Sequence, residues 1–227
     1  MRPKSDGGTD REYDVSDAVP IDGVATIERG TNVLVSGPSL SERDDIAVEL
    51  LAAGTDVDQH VILISAQQQP GKVLSKDDRL LAATEEGLVH PVDCSGANPI
   101  RRGEMSMHSV SSPRDLTGIG IQIVECTRDA VDAGADGIRL GVLSLSTLLQ
   151  YSGANRTFNF THMLCGRTAG WGHLGVWTLD PSAHESTTVN SLRSQFDVAI
   201  EVREDVSGES ECRVVGVDDV EKTWRSI

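Results

Sequence analysis

A strand that leads directly into a helix, in residues 32–54, constrains the fold of this chain more than any other segment. It reads NVLVSGPSLSERDDIAVELLAAG: a short apolar run, a turn of glycine, proline and serine, and then apolar and charged residues at helical spacing. Phosphate-binding loops have this layout, with the pattern G-x-x-x-x-G-K-S/T. Their glycines let backbone amides surround the phosphates, the lysine contacts them and the hydroxyl binds Mg²⁺. The segment therefore predicts a βα unit whose loop lies where a nucleotide's phosphates would bind.

When the pattern is aligned from Gly37, other residue types occupy its functional positions. Glu42 stands at the second glycine, Arg43 at the lysine and Asp44 at the hydroxyl residue. A carboxylate repels a triphosphate, and the positive φ that glycine allows is costly for a residue with a Cβ. Of the three, Arg43 alone could still contact a phosphate, so Gly37 and Arg43 are the candidate residues of a vestigial phosphate loop. We expect this loop to have lost its catalytic function.

Two serines in the loop match the pattern of a helix cap. Ser39 lies three residues before Glu42, and Ser41 lies three residues before Asp44, so each pair fits the capping box S-x-x-D/E. In a capping box the side chains bind the free amides at the start of a helix, and acidic groups there complement the helix dipole. We expect this helix start, which could otherwise bind an anion, to be occupied by the chain's own side chains.

The chain is strongly acidic and poor in lysine. Of its 227 residues 35 are acidic and 20 are Lys or Arg, which gives a formal net charge of −15, and lysine occurs only at Lys4, Lys72, Lys76 and Lys222. This composition suits a protein from a high-salt cytoplasm, where the screening length falls to about 3 Å, or simply an acidic cytosolic protein. In either case the charge argues against direct binding to nucleic acid or to an anionic membrane.

Neither metal binding nor membrane insertion is indicated. The cysteines Cys94, Cys126, Cys165 and Cys212 have no C-x-x-C spacing, so we predict buried free thiols. Histidines lie near Asp180, but the Asp-Pro pair that begins there predicts a turn in which the carboxylate accepts backbone amides. The sequence shows no apolar run of membrane-spanning length and no signal peptide. We expect a soluble cytoplasmic protein without a bound metal.

Strands and helices alternate along the chain, which predicts an α/β fold with a mostly parallel sheet and helices on both faces. The predicted strands cover residues 33–36, 61–65, 88–92, 137–145 and 173–179, followed by a C-terminal antiparallel hairpin at 198–203 and 212–217. The predicted helices cover residues 43–53, 76–86, 113–134, 146–151, 155–167 and 186–196. Ser112 and Pro113 are the predicted cap and first residue of the third helix. We expect residues 1–20 to be a disordered acidic arm, residues 21–218 one domain and residues 219–227 a tail.

Four segments together resemble the RecA/KaiC-type ATPases, and more closely a halophilic-archaeal branch of RecA-superfamily ATPases and HTR-like signalling proteins. They are the loop described above, SSPRDLTGIGIQI at 111–123, LGVLSLSTLLQY at 140–151 and TLDPSAHESTTVNSLRSQFDVAIEV at 178–202. The resemblance extends over residues 27–217 and implies a RecA-like three-layer sandwich with a mostly parallel central sheet.

The resemblance also identifies two further positions at which catalytic residues are replaced. In KaiC-like ATPases the second strand ends in a glutamate pair that activates water, whereas this sequence has Gln67 and Gln68 there. Glutamine can orient a water molecule but cannot accept its proton. The fourth strand of the superfamily ends in an Asp-Ser pair that secures Mg²⁺, and this chain has Leu143 followed by Ser144. The resemblance therefore implies an ATPase fold with degenerate Walker motifs.

From these replacements we expect a non-catalytic pseudo-ATPase with a regulatory or scaffolding role in cytoplasmic signal transduction. Its partners would be proteins, either an active paralogue or a copy of itself, bound at the sheet edge, at the loop in residues 98–112 or at the tails. No cofactor is expected, although ATP could still bind. One alternative is a nucleotide-binding sensor that uses Arg43 and the amides around Gly37. Another is a DNA recombination accessory protein, which the acidic charge disfavours.

Overall fold

The computed structural model describes residues 12–19, 24–96, 107–218 and 220–227. Within these residues the strands are β1 (Glu12–Asp14), β2 (Thr26–Glu28), β3 (Asn32–Ser36), β4 (His60–Ser65), β5 (Val89–Asp93), β6 (His108–Ser109), β7 (Ile138–Leu143), β8 (Leu174–Leu179), β9 (Val198–Glu204), β10 (Ser210–Val215) and β11 (Arg225–Ser226). The helices are α1 (Arg43–Ala52), α2 (Pro70–Leu74), α3 (Asp78–Glu85), α4 (Leu116–Asp132), α5 (Leu145–Ser152), α6 (Ala154–Trp171) and α7 (Ser186–Arg193).

Nine of these strands form one central sheet in the order β11-β10-β9-β3-β8-β7-β4-β5-β6. All neighbouring pairs from β9 to β6 are parallel, and the pairs β9–β10 and β10–β11 are antiparallel. The predicted mostly parallel sheet with a C-terminal antiparallel hairpin is confirmed. Because parallel strands end at the same edge, the loops after β3, β4, β7 and β8 share that edge, where α/β proteins bind their ligands.

Side chains on both faces of the sheet are buried, which explains why the central strands are continuously apolar. In β4, Val61 and Leu63 pack in one hydrophobic cluster with α1, α2 and α3, whereas Ile62 and Ile64 pack in a second cluster with α4, α5, α6 and α7. All four side chains are fully buried. The helices therefore form one layer on each side of the sheet, as the predicted three-layer sandwich requires.

The prediction of a disordered N-terminal arm is wrong for residues 12–19. Strand β1 pairs with β2, and the Tyr13 side chain is completely buried. Its hydroxyl lies 3.0 Å from the carbonyl oxygens of Ile138 and Gly172 and accepts a bond of 3.2 Å from the Ile138 amide. The buried Arg139 guanidinium lies 5.4 Å from the centre of the Tyr13 ring. These contacts bridge distant parts of the chain, so local composition did not reveal them; residues 1–11 lie outside the described part.

The predicted C-terminal tail is also partly integrated into the sheet. Strand β11 pairs with β10 and adds an edge strand after the predicted domain boundary. Trp224 lies against two arginines of the hairpin, with guanidinium carbons 4.0 Å (Arg203) and 4.6 Å (Arg213) from its ring centre. Such cation–π contacts fix the tail on the face of the hairpin.

Helix α4 starts three residues later than predicted. Asp115 is its N-cap and accepts a hydrogen bond of 2.8 Å from the Gly118 amide. Ser112, the predicted cap, instead accepts a bond from the Arg114 amide. Asp115 is the effective cap because its carboxylate reaches the free amide at the third helical position. The predicted loop at 98–112 lies outside the described residues as far as residue 106.

Candidate functional site

The residues at the replaced catalytic positions meet at the carboxyl edge of the sheet. Asp44 from α1, Gln67 and Gln68 after β4, and Leu143 and Ser144 after β7 line one small pocket, the loop pocket. The peptide bond between Leu143 and Ser144 is cis. The pocket has a volume of about 10 Å³, which is room for about one water molecule. The sequence positions thus converge in space, but they enclose almost no free volume.

Arg43 lies at the start of α1 and points back into the loop that precedes the helix. Only 4 % of its surface is exposed. Its Nη1 donates a hydrogen bond of 2.8 Å to the carbonyl oxygen of Gly37, and its Nε donates one of 2.9 Å to Asp44 Oδ1. The guanidinium is therefore bound inside the loop. Two of its five N–H donors are used there, and burial leaves little of the group accessible to a phosphate. The predicted role of Arg43 in phosphate binding stays a prediction.

The backbone at Gly37 is tightly enclosed. A Cβ at this position would lie 2.9 Å from Ser41 Oγ and 3.0 Å from Val202 Cβ, which leaves no room for a side chain. The Gly37 amide donates to the carbonyl oxygen of Leu179, on the neighbouring strand β8. Gly37 thus allows the loop to pack closely against β8 and β9, and its amide donates a hydrogen bond within the fold.

The residue with a left-handed conformation in this loop is Leu40. It is not Glu42, which stands at the second glycine of the phosphate-loop pattern. Glu42 has φ of −62°, which is helical, whereas Leu40 has φ of +69° and a fully exposed side chain. A non-glycine residue in this region costs about 1–2 kcal/mol. The turn at residues 39–40 therefore differs from a glycine-lined phosphate loop in the place where the chain reverses.

The two predicted capping boxes are wrong. Ser39 Oγ donates to Asp180 Oδ2 over 2.6 Å, and Ser41 Oγ donates to the carbonyl oxygen of Pro38 over 2.8 Å. The N-cap is Glu42, whose side chain makes no capping hydrogen bond within the described residues. Neither hydroxyl oxygen accepts a bond from the amide three residues on, as a capping box requires. Ser41 Oγ instead accepts a bond of 3.4 Å from the amide of Arg43, the first residue of α1, and Ser39 binds the carboxylate of Asp180 after β8.

Asp180, which follows β8, fastens the loop to the sheet edge. Its carboxylate accepts hydrogen bonds from Ser39 and from the amide and hydroxyl of Ser182. Burial alone would raise the pKa of Asp180, but the hydrogen bonds from Ser182 and Ser39 and the charge of Arg43 together lower it below its ordinary value. The predicted turn with an amide-binding Asp180 is confirmed. The contact with Ser39 was missed, because no local pattern links residues that are 141 positions apart.

The residues that line the loop pocket differ in chemistry from those that the resemblance implies. Leu143, at the position where the resemblance implies a metal-binding Asp, is buried and offers no ligand atom. Gln67 and Gln68 provide amides, which cannot act as a general base at neutral pH. Among the described residues, Asp44 is the one carboxylate that lines the pocket, and it is already paired with Arg43. Lys76 also lines the pocket, but its Nζ is bound to Asp45 over 2.8 Å.

Other candidate chemistry is likewise limited in the described part of the chain. There, no group of three or more His, Cys, Asp or Glu residues is placed to hold a metal ion. The four cysteines are buried and unpaired, as predicted, and burial raises the pKa of Cys94, Cys126 and Cys165 to about 12. None of the described helices has the length and apolar character needed to cross a lipid bilayer.

Comparison with solved structures supports the fold. The protein is similar to a KaiC-like protein from the hyperthermophilic archaeon Pyrococcus horikoshii, with a TM-score of 0.68 and 10 % sequence identity. The match covers 95 % of this chain and 92 % of the archaeal one. At this identity the similarity shows the fold alone, and it confirms the predicted RecA/KaiC-like architecture. None of the curated proteins matches the sequence.

A family comparison assigns the chain more directly. Residues 30–202, more than half of the 227 in the chain, match DUF7504. The matched region extends from the turn before β3 to strand β9 and includes every residue that lines the loop pocket. The chain therefore belongs to DUF7504, a family of unknown function.

Proposed function

We propose that this protein is a pseudo-ATPase, a RecA/KaiC-like protein that does not hydrolyse ATP and acts as a regulatory or scaffolding protein in cytoplasmic signal transduction. The observation that supports this most strongly is the position of the Arg43 guanidinium, which is bound to the Gly37 carbonyl and to Asp44 inside the loop. A residue in the position of the phosphate-binding lysine thus makes hydrogen bonds that stabilise the loop itself.

Several groups that stabilise the transition state of ATP hydrolysis are replaced at this one site. Removal of a single preorganised electrostatic group costs an enzyme about 3–4 kcal/mol of transition-state stabilisation. Here the lysine is replaced by a buried arginine, the metal-binding hydroxyl by Asp44, and the metal carboxylate by Leu143. Gln67 stands where the water-activating carboxylate would lie. Although such losses are not additive, together they leave Asp44, which is already paired with Arg43, as the one carboxylate among the described lining residues that could bind Mg²⁺ or accept a proton.

A protein that retains an enzyme's fold but not its catalytic residues can still bind other proteins through its surface. RecA-like domains resemble one another in shape, so we propose that its partner is an active paralogue or a second copy of this chain. The formal charge of −15 disfavours nucleic acid and anionic membranes as direct partners.

Phosphate release is the experiment that tests the loss of activity. The purified protein would be assayed with ATP and Mg²⁺ in molar KCl, with and without lysate of high-salt cells as a source of partners. Without lysate we expect release at the level of a protein-free blank, and with lysate at the level of the lysate alone, since the lysate contains ATPases of its own. Turnover above either level would overturn the proposal, whether or not Arg43→Ala abolishes it. Co-purification from the same lysate would identify the partner.

A nucleotide-binding sensor is the second candidate, and the position of Lys76 favours it. Lys76 lines the loop pocket, and its side chain is 34 % exposed. Its ammonium could exchange Asp45 for a phosphate at small cost, since exposed ion pairs contribute only about 0–1 kcal/mol. A sensor would show an ATP-dependent rise in thermal stability that Lys76→Ala reduces, without phosphate release.

A further inference from the structure

An open groove lies between α4 and α6, on the opposite face of the sheet from α1. Its volume is about 660 Å³, far larger than the loop pocket. The groove is lined on the α4 side by Gly120, Ile121 and Val124, and on the α6 side by Phe160 and Met163. We call it the α4–α6 groove.

Apolar side chains are exposed along this groove. The exposed fractions are 52 % for Ile121, 41 % for Val124 and 43 % for Met163. Helix α4 buries other apolar residues, such as Ile119 and Ile123, against the sheet, so Ile121 and Val124 are not needed for the core. A contiguous exposed apolar surface of this kind is typical of an interaction site.

Two arginines mark the ends of the groove on α6. Arg156 and Arg167 both line it and are both exposed. They are eleven positions apart, which on a helix is about three turns, or about 16 Å, on the same face. In the described part of the chain neither forms an ion pair with a carboxylate. Arg167 lies 6.0 Å from the centre of the Trp171 ring, a contact that leaves its charge without a carboxylate partner. In a protein with 35 acidic residues, two arginines without a described carboxylate partner beside an apolar groove form a distinct local charge pattern.

We propose that the α4–α6 groove binds an amphipathic helix of a protein partner, with carboxylates about three turns apart that pair with Arg156 and Arg167. Apolar residues between these carboxylates would lie against Ile121, Val124 and Met163. A helix fits because the groove lies between two helices of 17 and 18 residues and is open to solvent. This inference rests on the proposed scaffolding function and gives it a docking surface.

Charge argues against a second copy of the chain as the occupant. In a two-fold interface the same surface contributes from both subunits. Two copies would then bring together Arg156 and Arg167 from each subunit. Among the described residues that line the groove, Glu125 is the only one with a carboxylate. Four arginines and two glutamates would leave a net positive charge in the interface, which an acidic partner helix would neutralise.

Gly120 provides a way to block the groove without disturbing the fold. A Cβ at this position would meet no atom within 4 Å, so the missing side chain leaves open space in the groove wall. Glycine is also a poor residue inside a helix, and replacement by alanine or leucine favours the helical state. Gly120→Leu should therefore fill the groove in a folded protein, and Gly120→Ala serves as the matched control.

The test uses two labelled synthetic helical peptides and fluorescence anisotropy. Both peptides carry leucines on one face. One peptide has glutamates three turns apart, and the other has lysines at the same positions. We expect the glutamate peptide to bind wild-type protein at least about tenfold more tightly than the lysine peptide. The double variant Arg156→Glu/Arg167→Glu should reverse this preference. Gly120→Leu should weaken binding of the glutamate peptide by about tenfold or more, and Gly120→Ala by much less.

Several outcomes would overturn the proposal. These are equal affinity for the two peptides, no binding by either at millimolar concentration, or binding that is insensitive to Gly120→Leu. Self-association in sedimentation experiments that Gly120→Leu abolishes would assign the groove to a second copy instead. Phosphate release measured on the same samples separates the two proposals, because turnover would contradict the pseudo-ATPase function whatever the peptides do.

Discussion

Arg43 Nη1 lies 2.8 Å from the carbonyl oxygen of Gly37, so the first residue of α1 is bound to the first residue of the loop. The Arg43 side chain is 5 % exposed and is also paired with Asp44 over 2.9 Å. A buried cation requires such partners, because an unpaired charge in the interior is strongly unfavourable. The loop is therefore a stable structure without a ligand.

The first prediction concerns the contribution of Arg43 to stability. Arg43→Ala leaves the Gly37 carbonyl oxygen and the Asp44 carboxylate without their donor, and we expect the free energy of unfolding to fall by about 1–3 kcal/mol. Urea unfolding measures this. The matched control is Arg128→Ala, since Arg128 also pairs with the next residue, Asp129, but is 68 % exposed. Its effect should stay within about 0.5 kcal/mol. Equal effects of the two variants would show that Arg43 does not hold the loop.

The second prediction concerns the bond between Ser39 and Asp180. A double-mutant cycle with Ser39→Ala and Asp180→Ala should give a coupling energy of about 0.5–3 kcal/mol, because the two side chains share a hydrogen bond of 2.6 Å. The pair Ser207→Ala and Asp180→Ala is the control, as Ser207 bonds to Asp205 in the hairpin turn. A coupling energy near zero for Ser39 and Asp180 would mean that the loop is not fastened to β8.

The third prediction concerns acid sensitivity. Burial, together with the positive charge of Arg29, lowers the pKa of His173 from 6.5 to about 4, and burial also lowers the pKa of His60 and His90. Below pH 6.5 the unfolded chain binds protons that the folded protein does not. The free energy of unfolding should therefore fall as the pH drops from 6.5 towards 4, with His173 contributing up to about 3 kcal/mol.

Urea unfolding between about pH 7 and pH 4.5 checks this dependence. His173→Leu should make the slope shallower, and leucine suits the site because His173 Nε2 is buried without a hydrogen-bond partner among the described residues. His162→Leu, at an exposed position of α6, is the control. If wild type and His173→Leu lost stability in parallel, the assignment to His173 would be wrong.

The fourth prediction tests whether the N-terminal strand belongs to the fold. Tyr13→Phe removes a buried hydroxyl that bonds to the Ile138 backbone, and we expect a loss of about 1–3 kcal/mol in the free energy of unfolding. Glu12→Gln, at the exposed neighbouring position opposite Glu28, should change it by no more than about 0.5 kcal/mol. An unchanged unfolding curve for Tyr13→Phe would indicate that this segment is not packed as described.

The elements that sequence analysis located correctly have strong local patterns. The apolar run at 61–65 predicted β4, and Gly87, at φ of +80°, marks the end of α3 as expected. In each case the information lies within a few residues, in the periodicity of apolar side chains or in a backbone conformation that favours glycine.

What sequence analysis missed depends on contacts between distant residues. Tyr13 bonds to a residue 125 positions away, and Ser39 to one 141 positions away. No pattern near either residue indicates its partner. The convergence of Gln67 and Leu143 with the loop was expected from the family resemblance alone, since strand order is not encoded in any one segment. The inward orientation of Arg43 follows from packing, which residue type does not reveal.

The thermal unfolding midpoint in the presence of ATP and Mg²⁺, measured in molar KCl, tests the central claim most directly. A ligand at a hundred times its Kd adds about 2.7 kcal/mol of stability, which for a chain of this size raises the midpoint by about 5–10 °C. The closed loop predicts an unchanged midpoint at millimolar ATP. A rise of several degrees in the wild type would contradict it, because the protein would then bind the nucleotide although Arg43 is held by Gly37 and Asp44.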